Sequence, residues 1–307
     1  MQGCPPKLLF IAPCLPAFEG NGLAMRAGSL LKALGRSDYE LFLLVIPIYP
    51  LPQREPSGEI LKYCDDWAVV EPRDSSPKNY KAVENNYQTL PRTWRLAASE
   101  WVEDLPESLS KMRFELVFVF RFYMAPFCDP FRKDGARIIL DMDEIDSTAF
   151  LKTSLLLEQN GKISEADSLR KEAEALSSLE STVVDSVDAV TISSGLEKAN
   201  LQRKMQSQSI TVLPNTIPKA RTFRLRKPKE DFRFLFVGSF GHHPNWDAAN
   251  RFCREYLPLI RSRSPLAVSV DIVGAGANHE LEQLALLPDV IKGKYSRQNR
   301  LAASQFG

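Results

Sequence analysis

The chain has 307 residues, 44% of them hydrophobic and 25% charged, with a formal net charge of +1. That length provides for two domains with separate cores, and the composition excludes a largely disordered chain. The charge balance excludes a broad electrostatic footprint for nucleic acid, and no apolar run approaches the ~18 residues of a membrane span.

Lys7 to Ala12 (KLLFIA) is an apolar run of strand length, followed by a turn-rich loop from Pro13 to Gly22. Leu23, Ala27, Leu30, Leu31 and Leu34 then repeat at helical spacing, Gly35 ends the helix, and Tyr39 to Pro47 is a second buried strand. Between Leu51 and Asn86 the pattern supports a helix near Glu59 to Tyr63 and a strand at Trp67 to Val70. A helix is expected over Trp94 to Leu105. Strands follow at Leu116 to Phe122 and Arg137 to Asp141, with a short helical segment at Pro126 to Lys133 between them.

In the long helical region after Asp141, Leu169, Ala173, Leu176, Leu179 and Val183 mark one apolar face, with Glu172, Glu174 and Glu180 expected off it. Ala189 to Ser193 is a strand, Gly195 to Lys204 a helix, and Ile210 to Pro214 a strand. From Thr216 to Asp231 the pattern disappears, and Lys219, Arg221, Arg224, Arg226, Lys227 and Lys229 crowd a linker-like stretch. This stretch is either solvated or a patch for acidic lipid or phosphate. Phe232 to Gly238 reads as a strand buried on both faces, the loop to Asn245 as a glycine-bearing turn, and Trp246 to Arg263 as an amphipathic helix. Ala267 to Val273, Gly274-Ala-Gly276, a helix near Glu280 to Leu287 and a weak strand at Asp289 to Lys292 complete the order. Alternating strands and helices predict an α/β chain with parallel sheets.

The five cysteines, Cys4, Cys14, Cys64, Cys128 and Cys253, are scattered and lack a C-x-x-C pair, as expected of buried thiols in a reducing compartment. Three clusters carry chemistry. Glu19-Gly20-Asn21-Gly22 with Arg26 one turn into the helix suits an anion, although glycines after a first strand also serve plain turns. Gly238, Ser239, His243 and Asn245 lie where a strand passes into a helix, and Gly274 and Gly276 sit at an equivalent edge without forming G-x-G-x-x-G, which disfavours a hydride-transferring dehydrogenase. Adjacent His242 and His243 lack partners at ligand spacing, so no metal is expected there.

The third cluster is Asp141-Met142-Asp143-Glu144-Ile145-Asp146-Ser147, leaving a strand at its carboxyl end. It is able to hold a cation or accept hydrogen bonds from sugar hydroxyls, or else Asp146 or Ser147 caps a helix while the others face water. Arg121, in an apolar strand run, needs a partner, and a carboxylate of this cluster would serve.

LFVGSFGHHPNWDAANRFCREYLPLIR followed by VDIVGAG resembles the start of the donor domain in GT-B glycosyltransferases of the family 4 type. Leu213-Pro214-Asn215 is similar to the segment before their linker, and IILDMDEIDS resembles their strand and acidic turn. The resemblance, which runs over nearly the whole chain, implies two Rossmann-like domains facing a cleft. Residues 1–215 would form the acceptor side, 216–231 the linker and 232–307 a partial donor domain. It further implies retaining transfer from a nucleotide-diphosphate sugar to a glycan or lipid-linked acceptor, without cofactor or metal, in the cytoplasm or at the inner face of the membrane.

By motif match, Gly20, Gly22 and Arg26 would contact donor phosphates or acceptor, and Gly238, Ser239 and Gly276 would line the donor side, with Gly274, His243 and Asn245 beside them. Asp141, Asp143 and Arg121 are the catalytic candidates. No histidine precedes His242, so Arg121 or the acidic turn would replace the first-domain histidine of many relatives. The family's basic pair and paired-glutamate motif are missing, and Tyr295 to Gly307 lose the strand and helix pattern. A truncated or frame-shifted end with impaired transfer is therefore expected. A catalytically inactive binding or scaffold fragment and a sugar-nucleotide epimerase are the rival readings.

Overall fold

The computed structural model describes residues 5–47, 51, 53–70, 101–204, 209–216, 231–240, 243–275 and 279–294. Residues 217–230 of the linker expected at 216–231, most of the helix expected at Trp94 to Leu105, Gly241, His242, Gly276 and the stretch 295–307 lie outside these residues. The chain divides into two compact units, one of residues 1–152 and 167–216, the other of residues 153–166 and 217–307.

The first unit is built on β1 (Lys7–Ala12), β2 (Glu40–Val45), β3 (Asp66–Val69), β4 (Leu116–Phe120), β5 (Arg137–Asp143), β6 (Ala189–Ile192) and β7 (Ile210–Val212). They form a parallel sheet in the order β3-β2-β1-β4-β5-β6-β7. β1, β2 and β4 are continuous apolar runs because the inner strands of a parallel sheet are covered on both faces. Leu9, Ile11, Val117 and Val119 enter one core cluster, and Leu8, Phe10, Leu116 and Phe118 enter the other.

The helices are α1 (Gly22–Leu34), α2 (Gly58–Leu61), α3 (Glu107–Ser110), α4 (Asp129–Lys133), α5 (Asp146–Gln159), α6 (Ile163–Asp185) and α7 (Gly195–Lys204), with 3-10 turns at Trp101–Asp104 and Phe122–Cys128. Asn21 caps α1, its side chain accepting from Ala24 N at 2.9 Å. Among the described residues no helix is long and apolar enough to cross a membrane.

The second unit carries a parallel sheet in the order β10-β9-β8, of β8 (Asp231–Ser239), β9 (Ala267–Ala275) and β10 (Val290–Lys294). Its helices are α8 (His243–Arg251), α9 (Leu257–Arg263) and α10 (His279–Leu284).

The structure corrects several expectations. β8 is not buried on both faces. Phe234 and Phe236 pack into the core, while Leu235 and Val237, on the opposite face, are 48% and 57% exposed, because only one face of β8 is covered among the described residues. The helix expected from Trp246 begins at His243, so His243 and Asn245 belong to a helix start and not to a loop. A π-turn at Phe252–Tyr256 interrupts it before Pro258, which has no N–H to give the preceding turn. Glu172 and Glu180, expected off the apolar face of α6, are buried. Cys14 and Cys64 are half-buried, while Cys128 and Cys253 are fully buried free thiols.

Candidate functional site

The strand order of the first sheet reverses between β1 and β4: the chain runs outward from β1 through β2 to β3, then returns to β4 and proceeds the other way. Loops leaving the carboxyl ends of two such strands diverge and open a crevice, where α/β proteins place their ligands. The glycine loop follows β1 there, Arg121 follows β4, and the acidic turn ends the adjacent β5.

Gly20 has φ 113°, a left-handed conformation that demands glycine, whereas Gly22 is the first residue of α1 and a Cβ on it would meet nothing within 4 Å. One turn on, Arg26 is 5% exposed and directs its guanidinium into the protein. Its Nε and Nη2 donate to Asp141 Oδ1 and Oδ2 at 3.0 and 2.8 Å, a bidentate fork. Nη2 also donates to the Leu213 carbonyl at 3.0 Å and Nη1 to Asn215 Oδ1 at 2.9 Å. Asp141 is fully buried and accepts a further bond from Thr191 Oγ at 2.7 Å. The arginine and the carboxylate thus tie α1 to the ends of β5, β6 and β7. Asp141 is enclosed by these partners.

β5 extends two residues beyond the expected Asp141, to Asp143. Its register against β6 shifts between Asp141 and Asp143, a bulge of the kind that re-aims side chains. Asp143 nevertheless stays near the Arg26 guanidinium, whose Nε lies 3.3 Å from its Oδ1. Asp143 itself has φ 63°.

Arg121 is not inside a strand as expected. β4 stops at Phe120, and Arg121 has φ 78° and gives its N–H to the Asp141 carbonyl at 2.7 Å. As expected, the acidic turn supplies its partners. Arg121 Nη1 lies 3.2 Å from Asp143 Oδ2 and 3.3 Å from Glu144 Oε1, and Nη2 donates to Asp146 Oδ1 at 2.5 Å. Burial works against the Arg121 cation, but Asp146, Tyr123, Glu144 and Asp143 outweigh it and hold its pKa above the ordinary value. Burial also raises Asp143 against the pull of Arg121 and Arg26. Beside Arg121, burial pushes the Cys14 thiol up to about 12, which keeps it protonated.

Asp146 heads α5, and burial, only partly offset by Arg121 and reinforced by Glu144, Glu180 and Asp143, pushes it up to about 7. The folded protein therefore keeps a proton on Asp146 over a range, from about pH 4 to 7, in which the unfolded chain has lost it. The stability contributed by Asp146 is fully present below that range and is lost as pH rises through it, by at most on the order of 4 kcal/mol. Urea titrations at pH 5 and 7.5 are expected to show this loss in the wild type and much less of it in Asp146→Asn. Equal losses in the two proteins would rule out Asp146 as the source.

Thr191, Asn215 and Glu180 escaped the sequence reading. Glu180 accepts from Ser147 N at 2.8 Å and Ser147 Oγ at 2.5 Å, holding the first turn of α5. Its position four residues after Leu176 and three before Val183 placed it on the apolar face, a signal that was available.

In the second unit, β8 and β9 pair with Gly238 opposite Gly274 at their carboxyl ends. Asn245, in the first turn of α8, donates to the Ser239 carbonyl at 3.0 Å, and its side chain lies over Gly238. A Cβ on Gly274 would sit 1.7 Å from the Gly238 carbonyl oxygen and 2.8 Å from the ring of Phe240. Gly238, Ser239, Asn245 and Gly274 are therefore brought together. His243 stands one turn before Trp246 and stacks on it, with ring centroids 5.4 Å apart.

No family model matches the sequence. No curated protein matches it either. Solved structures do. Sucrose-phosphate synthase from Thermosynechococcus elongatus is 14% identical with a TM-score of 0.63, over 97% of this chain and 72% of that one. A trehalose-phosphate synthase (UDP-forming) from Burkholderia xenovorans, in complex with glucose-6-phosphate, is 12% identical with a TM-score of 0.54, over 98% and 77%. A trehalose 6-phosphate synthase from Burkholderia multivorans is 10% identical with a TM-score of 0.57, over 98% and 74%. With its two parallel-sheet units, the chain has the GT-B type of fold that these glycosyltransferases share.

Proposed function

We propose that this protein is a retaining glycosyltransferase of the family 4 type, moving a sugar from a nucleotide-diphosphate donor to a glycan or lipid-linked acceptor. One observation carries the reading. Of the three described non-glycine residues with positive φ, two, Arg121 and Asp143, stand at the ends of neighbouring strands beside the switch point and pair with each other. Such backbone is unfavourable by about 1–3 kcal/mol per residue and persists where function needs the geometry. Its product is a half-buried carboxylate held by a guanidinium, suited to accept hydrogen bonds from sugar hydroxyls.

The donor is assigned to the second unit, where Gly238 and Gly274 stand opposite each other at the carboxyl ends of β8 and β9 beside the start of α8, and Asn245 ties Ser239 to that helix. There, the helix dipole favours a diphosphate. The fold of the three synthases supports this division, and one of them is named as UDP-forming. A lipid-linked acceptor would bring the protein to the membrane surface from the cytoplasmic side.

Calorimetric titration with a panel of nucleoside diphosphates is expected to find one that binds, and binding of none would refute the donor assignment. With that donor and a mixed glycan pool, Asp143→Asn is expected to lower acceptor-dependent nucleoside diphosphate release by on the order of 10²-fold. Its nucleoside diphosphate affinity should stay within about twofold, a difference of under ~0.5 kcal/mol.

A further inference from the structure

Arg121 is one cation divided between two sides. Its Nη2 meets Asp146, 7% exposed at the head of α5, and its Nη1 meets the half-buried Asp143. The contact with Asp146 is incomplete, because Arg121 Nε and Asp146 Oδ2 are both buried without a hydrogen-bond partner. A guanidinium and a carboxylate can close two parallel bonds, and here one of the two remains open. The charges facing Asp146 are Arg121 after β4, Asp143 and Glu144 at the end of β5, and Glu180 on α6. Glu197 on α7 accepts from the neighbouring Ile145 N at 3.3 Å. One cation thus stands among several carboxylates.

We infer that Asp146 is a positioning residue whose proton decides how Arg121 divides its charge, and thereby how strongly Asp143 accepts a hydrogen bond from a sugar hydroxyl. The inference rests on the assignment of Asp143 proposed above. With the proton on Oδ2, Asp146 is neutral and its O–H has no reason to attract Nε, so the guanidinium charge is turned to Asp143. When that proton passes to solvent, the carboxylate gains a full charge and the open Nε–H to Oδ2 bond can form. Arg121 is then drawn inward, and Asp143, with one more negative neighbour and less of the cation, becomes the better acceptor. Because burial brings Asp146 to about 7, this exchange falls in the neutral range. Asp143 is then weakest as an acceptor in mild acid and strongest above neutrality.

The test needs neither donor nor acceptor, so its failure is separable from a failure of the glycosyltransferase reading. Arginine Nε–H resonances and aspartate carboxyl carbons of the full chain are followed from pH 5.5 to 8.5, with Arg121→Lys and Asp143→Asn supplying the assignments. Arg121 Nε–H and the Asp143 carboxyl are expected to move together with one midpoint near neutrality, and both steps should vanish in Asp146→Asn. Should that variant not fold, Glu144→Gln serves instead. Glu144 is 48% exposed, and removing its charge is expected to lower the shared midpoint by a few tenths of a pH unit. Signals that stay still across this range, a step that survives Asp146→Asn, or a midpoint unmoved by Glu144→Gln would overturn the inference.

Discussion

Replacement of Arg26 by alanine is expected to destabilise the first unit by about 3–5 kcal/mol, the usual loss when one member of a buried ion pair is removed. The size follows from what remains. Asp141 is fully buried and, of its side-chain hydrogen bonds among the described residues, would keep the one from the Thr191 hydroxyl. The Leu213 carbonyl and Asn215 would lose their donor as well. By contrast, the exposed pair Arg132 with Asp129 contributes about 0–1 kcal/mol on general grounds.

Arg26→Lys keeps the charge but loses the fork, since one ammonium cannot serve two carboxylate oxygens, a carbonyl and an amide in this geometry, and an intermediate loss is expected. The double replacement Arg26→Met with Asp141→Leu should recover most of the stability, because the harm in each single variant is the stranded partner. Urea midpoints for the wild type, Arg26→Met, Asp141→Leu and the double variant form a double-mutant cycle. A cost under about 1 kcal/mol for Arg26→Ala would mean that Asp141 is hydrated in solution.

Gly274→Ala is expected to have the largest effect on the second unit. The added carbon would lie 1.7 Å from a carbonyl oxygen of the neighbouring strand and 2.8 Å from a ring already packed in the core, so β8 and β9 must separate at their carboxyl ends. Overpacking of this kind is unfavourable by about 1–3 kcal/mol or more. The displaced edge is the one assigned to the donor, so nucleoside diphosphate affinity should fall at least about tenfold.

Two companions grade the effect. At Gly238 the nearest atom is 3.3 Å away and belongs to the side chain of Asn245, which can shift, so alanine there should be milder. At Gly58 no atom lies within 4 Å, and alanine should leave both stability and binding unchanged. If Gly274→Ala binds as the wild type does, the backbone edge of β8 and β9 is not the donor surface.

Local pattern made much of this molecule readable. The apolar runs of β1, β2 and β4, the helical spacing of α1 and the breakers around them are consequences of covering a parallel sheet on both faces. They stand in the sequence because each strand and helix must satisfy its own backbone and bury its own face. The need of Arg121 for a carboxylate from the Asp141 to Asp146 turn was equally legible, since a buried guanidinium in an apolar run is too unfavourable to stay unpaired.

Pattern alone did not reveal the partner of Arg26. Asp141 is 115 positions away and Asn215 is 189, and they meet because the order β3-β2-β1-β4-β5-β6-β7 brings three strand ends beside α1. Nor did it show that β8 would expose Leu235 and Val237, because an apolar run looks the same whether one face of the sheet is covered or both. The sequence by itself determined the elements, their alternation and the residue types of the site. Only the tertiary structure decided which charges share a guanidinium, which of them are cut off from water and which, Asp143 and Glu144, remain within reach of it. Pairing of charges depends on distance and burial, and neither is a local property of the chain.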